Sequence, residues 1–134
     1  MGSEKLWPDL LPNELSEGYL STDPKESSFA NWTKIFIPYC DGSFHQGNTK
    51  NPVKYKDREL FFRGSVNTRS HFKYINTKYN LDGADRIILT GMSAGGVAVH
   101  LWTNYLKSLV KDDSKVYPIA DSGVFVQFKP KSGD

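Results

Sequence analysis

Arg86-Ile87-Ile88-Leu89-Thr90-Gly91-Met92-Ser93-Ala94-Gly95-Gly96-Val97-Ala98-Val99-His100-Leu101 is the stretch on which the reading of this chain turns. Its first five residues form a short, almost wholly apolar run of the kind found in strands covered on both faces, so the sequence predicts a central strand over 86–90. From Val97 to Lys107 the pattern becomes helical, with Ala94, Ala98, Leu101 and Tyr105 on one predicted buried face. Lys107 and Lys111 suit the negative C-terminal end of that helix. Between strand and helix, Gly91-Met92-Ser93-Ala94-Gly95 is G-x-S-x-G in the setting that gives this pattern its meaning. In such a turn the serine takes a strained backbone angle that lifts its hydroxyl above the sheet edge, and the flanking glycines avoid clashes that side chains would cause. Ser93 is therefore the candidate nucleophile, and Ala94, whose N–H opens the helix, is the candidate oxyanion-hole donor. The competing reading is a Gly-rich turn that only tightens a strand-to-helix junction.

Working outward, Val66, Phe72, Ile75 and Tyr79 recur at helical spacing and predict a helix over 65–79 with one buried stripe, ended by Asp82-Gly83-Ala84-Asp85. Upstream, Leu60 to Gly64 reads as extended or partly buried, and residues 47–57 read as an exposed loop. The run Ile35-Phe36-Ile37, stopped by Pro38 and by Cys40-Asp41-Gly42-Ser43, predicts a strand over 33–37 and a turn after it. Residues 1–30 are rich in Pro, Ser, Asp and Glu and read as a connector with a short helical turn near Leu10 to Leu15. Downstream, a strand over 115–120 ends in Asp121-Ser122-Gly123, and Val124 to Phe128 extend the order a little. Strand, helix, strand, helix, strand is the order that a parallel sheet with crossover helices requires, which makes the class α/β.

Composition sets the frame for that class. The 134 residues are 38% hydrophobic, 24% charged and 13% aromatic, the profile of one globular domain. A net charge of +2 from 17 basic and 15 acidic residues gives no electrostatic case for nucleic acid or for an anionic membrane. No stretch approaches the roughly 18 apolar residues of a membrane span, and the first residues lack a signal-peptide pattern. Cys40 is the only cysteine, so these residues form no internal disulfide. Asn31-Trp32-Thr33 is a formal glycosylation sequon.

A serine nucleophile needs a general base, usually His, oriented by a carboxylate. His100 lies seven residues after Ser93 on the same predicted helix, about 10 Å along its axis, and is read as structural. His71 falls among Arg69 and Lys73 on a helix face expected to meet solvent. His45 and Asp41 lie in the turn after the predicted 33–37 strand, where site residues collect, and are the candidate substrate-binding pair. Asp41 also has a simpler reading as the self-capping carboxylate of an Asp-Gly turn. Asp121 ends a strand of the same sheet, but the α/β-hydrolase order is Ser, acid, His, and no His follows it. His and Cys never cluster at ligand spacing, so no metal is expected.

Five motifs in order, Asn31-Trp32, Ile37-Pro38-Tyr39-Cys40-Asp41-Gly42-Ser43, Phe62-Arg63-Gly64, Thr90 to Gly96 and Ala120-Asp121-Ser122-Gly123, resemble the pectin acetylesterase/Notum family from about Gly2 to Phe125. That resemblance implies an α/β-hydrolase-like three-layer fold with a mainly parallel sheet, no cofactor, secretion, and Ser93 as the acyl-accepting nucleophile. It also implies that the remaining oxyanion donors come from a Gly-rich segment before Met1, and that the catalytic Asp and His follow the Asp121-Ser122-Gly123 motif. Members usually have Cys where Met92 stands. The chain thus reads as an incomplete, central segment, residues 1–30 a loop-rich connector and 31–128 an α/β core segment. The expected function of the full-length parent is a serine carboxylesterase acting on O-acyl esters, with acylated polysaccharide or a lipidated protein as substrate and this segment nearly inactive by itself. The alternative is an inactive remnant that binds glycan or lipid beside Ser93.

Overall fold

A computed structural model describes residues 17–125. The backbone separates into two compact units, one ending at Cys40 and one beginning at Asp41.

In the first unit short polar side chains replace regular hydrogen-bond ladders. After a 3-10 turn at Gly18–Leu20, the buried Ser27 hydroxyl donates to the Tyr19 carbonyl at 2.8 Å and accepts from the Phe29 N–H at 3.1 Å. Ser21 and Asp23 accept from the backbone two residues on, the habit of residues that compete with helix and sheet for backbone donors. Phe29 and Trp32 meet edge to face at 5.1 Å. The predicted strand at 33–37 is not formed: residues 33–40 belong to neither of the two sheets, and Ile35 and Phe36 are exposed. A β-rich apolar run becomes a strand only where another backbone edge pairs with it, so strand composition alone does not make one. The helical turn predicted near residues 10–15 lies outside the described residues.

The second unit opens with a hairpin the sequence did not suggest. Strand β1, Val53–Tyr55, pairs antiparallel with β2, Arg58–Leu60, across Lys56-Asp57. Lys56 has a φ of +54°. Two-residue hairpin turns need such a value, but Gly or Asn normally supplies it, so Lys-Asp gave no turn signal.

Helix α1, Gly64–Tyr79, agrees with the predicted 65–79. Its head is held by Asp41, whose Oδ2 accepts from the Gly64 N–H, one of the orphan donors of a helix start. It ends where Asn80 turns left-handed at a φ of +50°, a conformation Asn tolerates at helix ends. Its buried side chains are Thr68 and Phe72, whereas Val66 and Ile75 are half-buried and Tyr79 is exposed. The stripe is thus narrower than the predicted one.

Strand β3, Ile87–Met92, helix α2, Ala94–Lys107, and strand β4, Val116–Asp121, form the βαβ unit that makes the class α/β. Strands β3 and β4 are parallel from Ile87↔Val116 to Met92↔Asp121. Among the described residues β4 is the sole ladder partner of β3 and the residues of β3 are at most half-buried, where the sequence predicted a strand covered on both faces. The helix stripe is corrected too. The buried residues of α2 are Gly96, Val99, Trp102 and Leu106, while Leu101 is 47% exposed. Val97 through Trp102 are apolar nearly all round, so periodicity alone does not choose which face turns inward. Tertiary contact chooses it: Phe72 of α1 meets Trp102 and Tyr105 of α2 at 6.5 and 6.3 Å between ring centroids, and Arg69 lies 5.5 and 5.2 Å from the same two rings of α2. The far ends of the two helices are joined by Asn76 Nδ2 donating to the Leu109 carbonyl at 3.1 Å, and by Asp82, which accepts from the Lys111 N–H. Beyond β4, Val124 and Phe125 are in no element and are exposed; residues 126–128 lie outside the described residues.

Candidate active site

Ser93 stands between the last residue of β3 and the first of α2, with φ +54° and ψ −113°. Those angles are the first central position of a type II′ turn, where Gly is the usual occupant, and a side chain there costs about 1–3 kcal/mol. The strain is held from both sides. The Ser93 N–H donates to the Asp121 carbonyl at 2.9 Å, and its own carbonyl accepts from Val97 N–H at 3.1 Å as the first turn of α2 closes.

Glycines admit the close approach that this turn needs. A Cβ on Gly91 would lie 2.5 Å from the Gly95 carbonyl carbon, so the first helical turn folds back over a bare strand residue. Gly95 itself faces open space; it is its backbone that Gly91 makes way for. A second pair was not foreseen: a Cβ on Gly96 would meet the Asp121 carbonyl oxygen at 2.6 Å, and one on Gly123 would meet the Gly96 carbonyl carbon at 2.5 Å. The Asp121-Ser122-Gly123 stretch is therefore a brace against α2, with Ser122 at φ +51° and its hydroxyl donating to the Asp121 carboxylate at 2.9 Å. The signal for it is Gly96, one glycine beyond the G-x-S-x-G pattern, together with Gly123 at the end of the Asp121-Ser122-Gly123 motif.

Ala94 is the first residue of α2, so its N–H has no intrahelical carbonyl to reach and points from the positive end of the helix dipole. Met92, next to the serine, is 68% exposed. Thr90 has its hydroxyl oxygen buried without a partner among the described residues.

The other two predicted site residues gather at the head of α1. Asp41 Oδ1 accepts from Ser43 N–H at 3.1 Å, Oδ2 accepts from Ser43 Oγ at 2.6 Å, and Oδ2 also accepts from Gly64 N–H. Its carboxylate is thus committed to a turn and a helix start. Asp41→Ala is expected to lower stability by about 2 kcal/mol, since a helix cap and a charge-assisted bond go together; urea unfolding of the 134-residue chain checks this, and a change under a few tenths would show the cap to be dispensable. His45 is half-buried, with Nδ1 3.5 Å from the Thr68 hydroxyl of α1 and its carbonyl accepting from Trp102 Nε1 of α2 at 3.0 Å. Burial holds its imidazole below the ordinary value, partly offset by the Asp41 carboxylate, and the neighbouring His71 lowers it further. His71 was expected in solvent, but its Nδ1 is buried without a partner among the described residues; His100 is exposed on α2. Among the described residues no cluster of three potential metal ligands occurs.

The strained serine, the parallel βαβ unit around it and the brace beyond β4 accompany a family assignment. The sequence profile of the family described as Pectinacetylesterase matches residues 1–134. This chain belongs to the pectinacetylesterase family. It is 34% identical to pectin acetylesterase 5 of Arabidopsis thaliana over 111 residues, which cover 82% of this chain and 26% of that protein. It is 32% identical to the palmitoleoyl-protein carboxylesterase notum1 of Xenopus laevis over 132 residues, 95% of this chain and 26% of that protein. Mouse NOTUM is 31% identical over 132 residues. The chain thus spans about a quarter of the length of the curated relatives it matches. Relatives on both sides of this pectinacetylesterase family carry esterase names.

If the backbone strain at Ser93 serves the hydroxyl, removing the side chain should relax it. Ser93→Gly is therefore expected to be more stable than Ser93→Ala by at least about 1 kcal/mol, because glycine takes a positive φ without the clash of a Cβ and is also the better of the two at a helix N-cap. Equal denaturation midpoints for the two variants would contradict the strained geometry.

Proposed function

We propose that the full-length parent is a serine carboxylesterase that hydrolyses O-acyl esters through an acyl-enzyme on Ser93. The observation that carries this reading is the backbone of Ser93, at +54° and −113° between β3 and α2, with the Ala94 N–H at the head of the helix. The serine oxygen attacks the ester carbonyl carbon and passes its proton to a general base. Negative charge gathers on the carbonyl oxygen, where Ala94 N–H and the end of α2 stabilise it. Collapse expels the alcohol, which takes the proton from the base, and water then releases the acid by the same steps in reverse order of partners. In this reading residues 31–128 are the core segment of an α/β-hydrolase-like domain, and the base and its carboxylate come from parts of the parent beyond the Asp121-Ser122-Gly123 brace. The names of the relatives support acetylated polysaccharide as the substrate class, with a lipidated protein as the second choice.

A non-catalytic module binding glycan or lipid beside Ser93 is the second reading. The two readings part on one measurement: brief incubation of the full-length parent with p-nitrophenyl acetate, acid quench and peptide mass spectrometry. An acetyl group on the Ser93 peptide is the expected result. Turnover without any acyl adduct, persisting in Ser93→Ala, would sink the serine mechanism.

A further inference from the structure

The turn Ser43-Phe44-His45-Gln46 is closed by Gln46 N–H donating to the Ser43 carbonyl at 3.0 Å, with φ +54° at Phe44 and +60° at His45. Positive φ at both central residues is the type I′ pattern, which Asn and Gly adopt readily and bulky side chains do not. A turn of this kind made from Phe and His persists only because its surroundings over-determine it. Those surroundings are specific. Gly47 N–H donates to Ser43 Oγ at 2.7 Å, and Trp102 Nε1 of α2 donates to the His45 carbonyl. Thr68 of α1 faces His45 Nδ1. The bare Cα of Gly64 lets the His45 backbone lie against the head of α1, where a Cβ would come within 2.8 Å of it.

We propose that this turn is a proton-operated latch: with His45 neutral it is closed on α1 and α2, and with the imidazolium formed it releases Trp102. The charged and titratable groups that bear on His45 include Asp41 from its own loop and His71 from α1; Arg69, also of α1, lies over the Trp102 ring. From α2 the neighbour is the uncharged indole of Trp102. Asp41 favours the imidazolium. Burial, His71 and the positive end of α1 all oppose it. A histidine held below its ordinary 6.5 in the closed form binds a proton more readily once the turn opens. The closed form is therefore fully favoured above that value and loses stability as pH falls through the lower, closed-state value. Opening also reaches the brace of the Ser93 turn, since Phe44 meets Phe125 edge to face at 5.9 Å, two residues after Gly123.

The test is a nitrogen-15 NMR titration of the 134-residue chain from about pH 8 to about pH 5, following the Trp102 indole N–H and the ring protons of His45. The Trp102 crosspeak is expected to move and then be lost to exchange with the midpoint of the His45 ring. In His45→Asn, which tolerates the left-handed backbone and carries no titrating ring, the crosspeak should hold its place over this range. In His71→Gln the midpoint should rise, because the opposing imidazole is gone. A Trp102 crosspeak that stays fixed while His45 titrates would overturn the latch, as would the same loss in His45→Asn. Should His45→Asn not fold, a Trp102 crosspeak that is lost in His71→Gln at a pH different from the His45 midpoint of that variant also overturns it.

Discussion

In the full-length parent, Ser93→Ala is expected to lower kcat on p-nitrophenyl acetate by on the order of 10⁴-fold or more, while KM changes little. The hydroxyl that forms the acyl bond is gone, but the turn that presents it remains. Ser93 N–H still reaches the Asp121 carbonyl, and the glycine pairs still seat α2 on the strand ends. What activity survives reflects binding and partial oxyanion stabilisation by groups such as the Ala94 N–H. Steady-state kinetics on both proteins, with a thermal melt to show that the variant is folded, make the comparison. A loss smaller than about tenfold would place the nucleophile elsewhere.

Gly96→Val is expected to destabilise the chain by more than about 4 kcal/mol, a large share of the stability of a small domain. A Cβ at this position would be 2.6 Å from the Asp121 carbonyl oxygen and 2.7 Å from the Gly123 Cα. Both are backbone atoms, which have no rotamer to escape into. Since Asp121 also accepts from Ser93 N–H, relief of the clash by parting α2 from β4 would also remove the support of the strained serine. Gly95→Ala is the internal control. Its Cβ would meet nothing within 4 Å, and alanine in a helix gains about 1 kcal/mol over glycine. Urea unfolding of the three chains should rank Gly95→Ala at or above the unsubstituted protein and Gly96→Val far below it. If Gly96→Val unfolds at the unsubstituted midpoint, the brace is not a structural requirement.

Reading the residues in order recovered the elements whose signals are local. Ile87 to Leu89 is apolar without interruption and lies in a strand; Phe72 and its neighbours repeat at helical spacing and form α1; Val116 to Asp121 follows a turn and is a strand. The five ordered motifs pointed to the family to which the chain belongs. The failures have a shared cause. Ile35 to Ile37 has strand composition but lies in no strand, and Lys56-Asp57 turns a hairpin through a backbone angle that its side chains do not advertise. The inward face of α2 was misassigned because Leu101 and Trp102 are both apolar, and only the packing of Phe72 and Tyr105 selects Trp102.

The site divides along the same line. Sequence by itself determined the G-x-S-x-G turn at Ser93, the helix that begins at Ala94, and the α/β order around them, because a strand-to-helix junction is specified by residues adjacent in the chain. Only the packed chain shows that Asp41 caps α1, that the half-buried His45 lies against Thr68 and Trp102, and that Gly96 and Gly123 touch. Each of these joins residues more than twenty positions apart. Such contacts depend on which surfaces meet after the chain has folded, and residue type at either end does not record that.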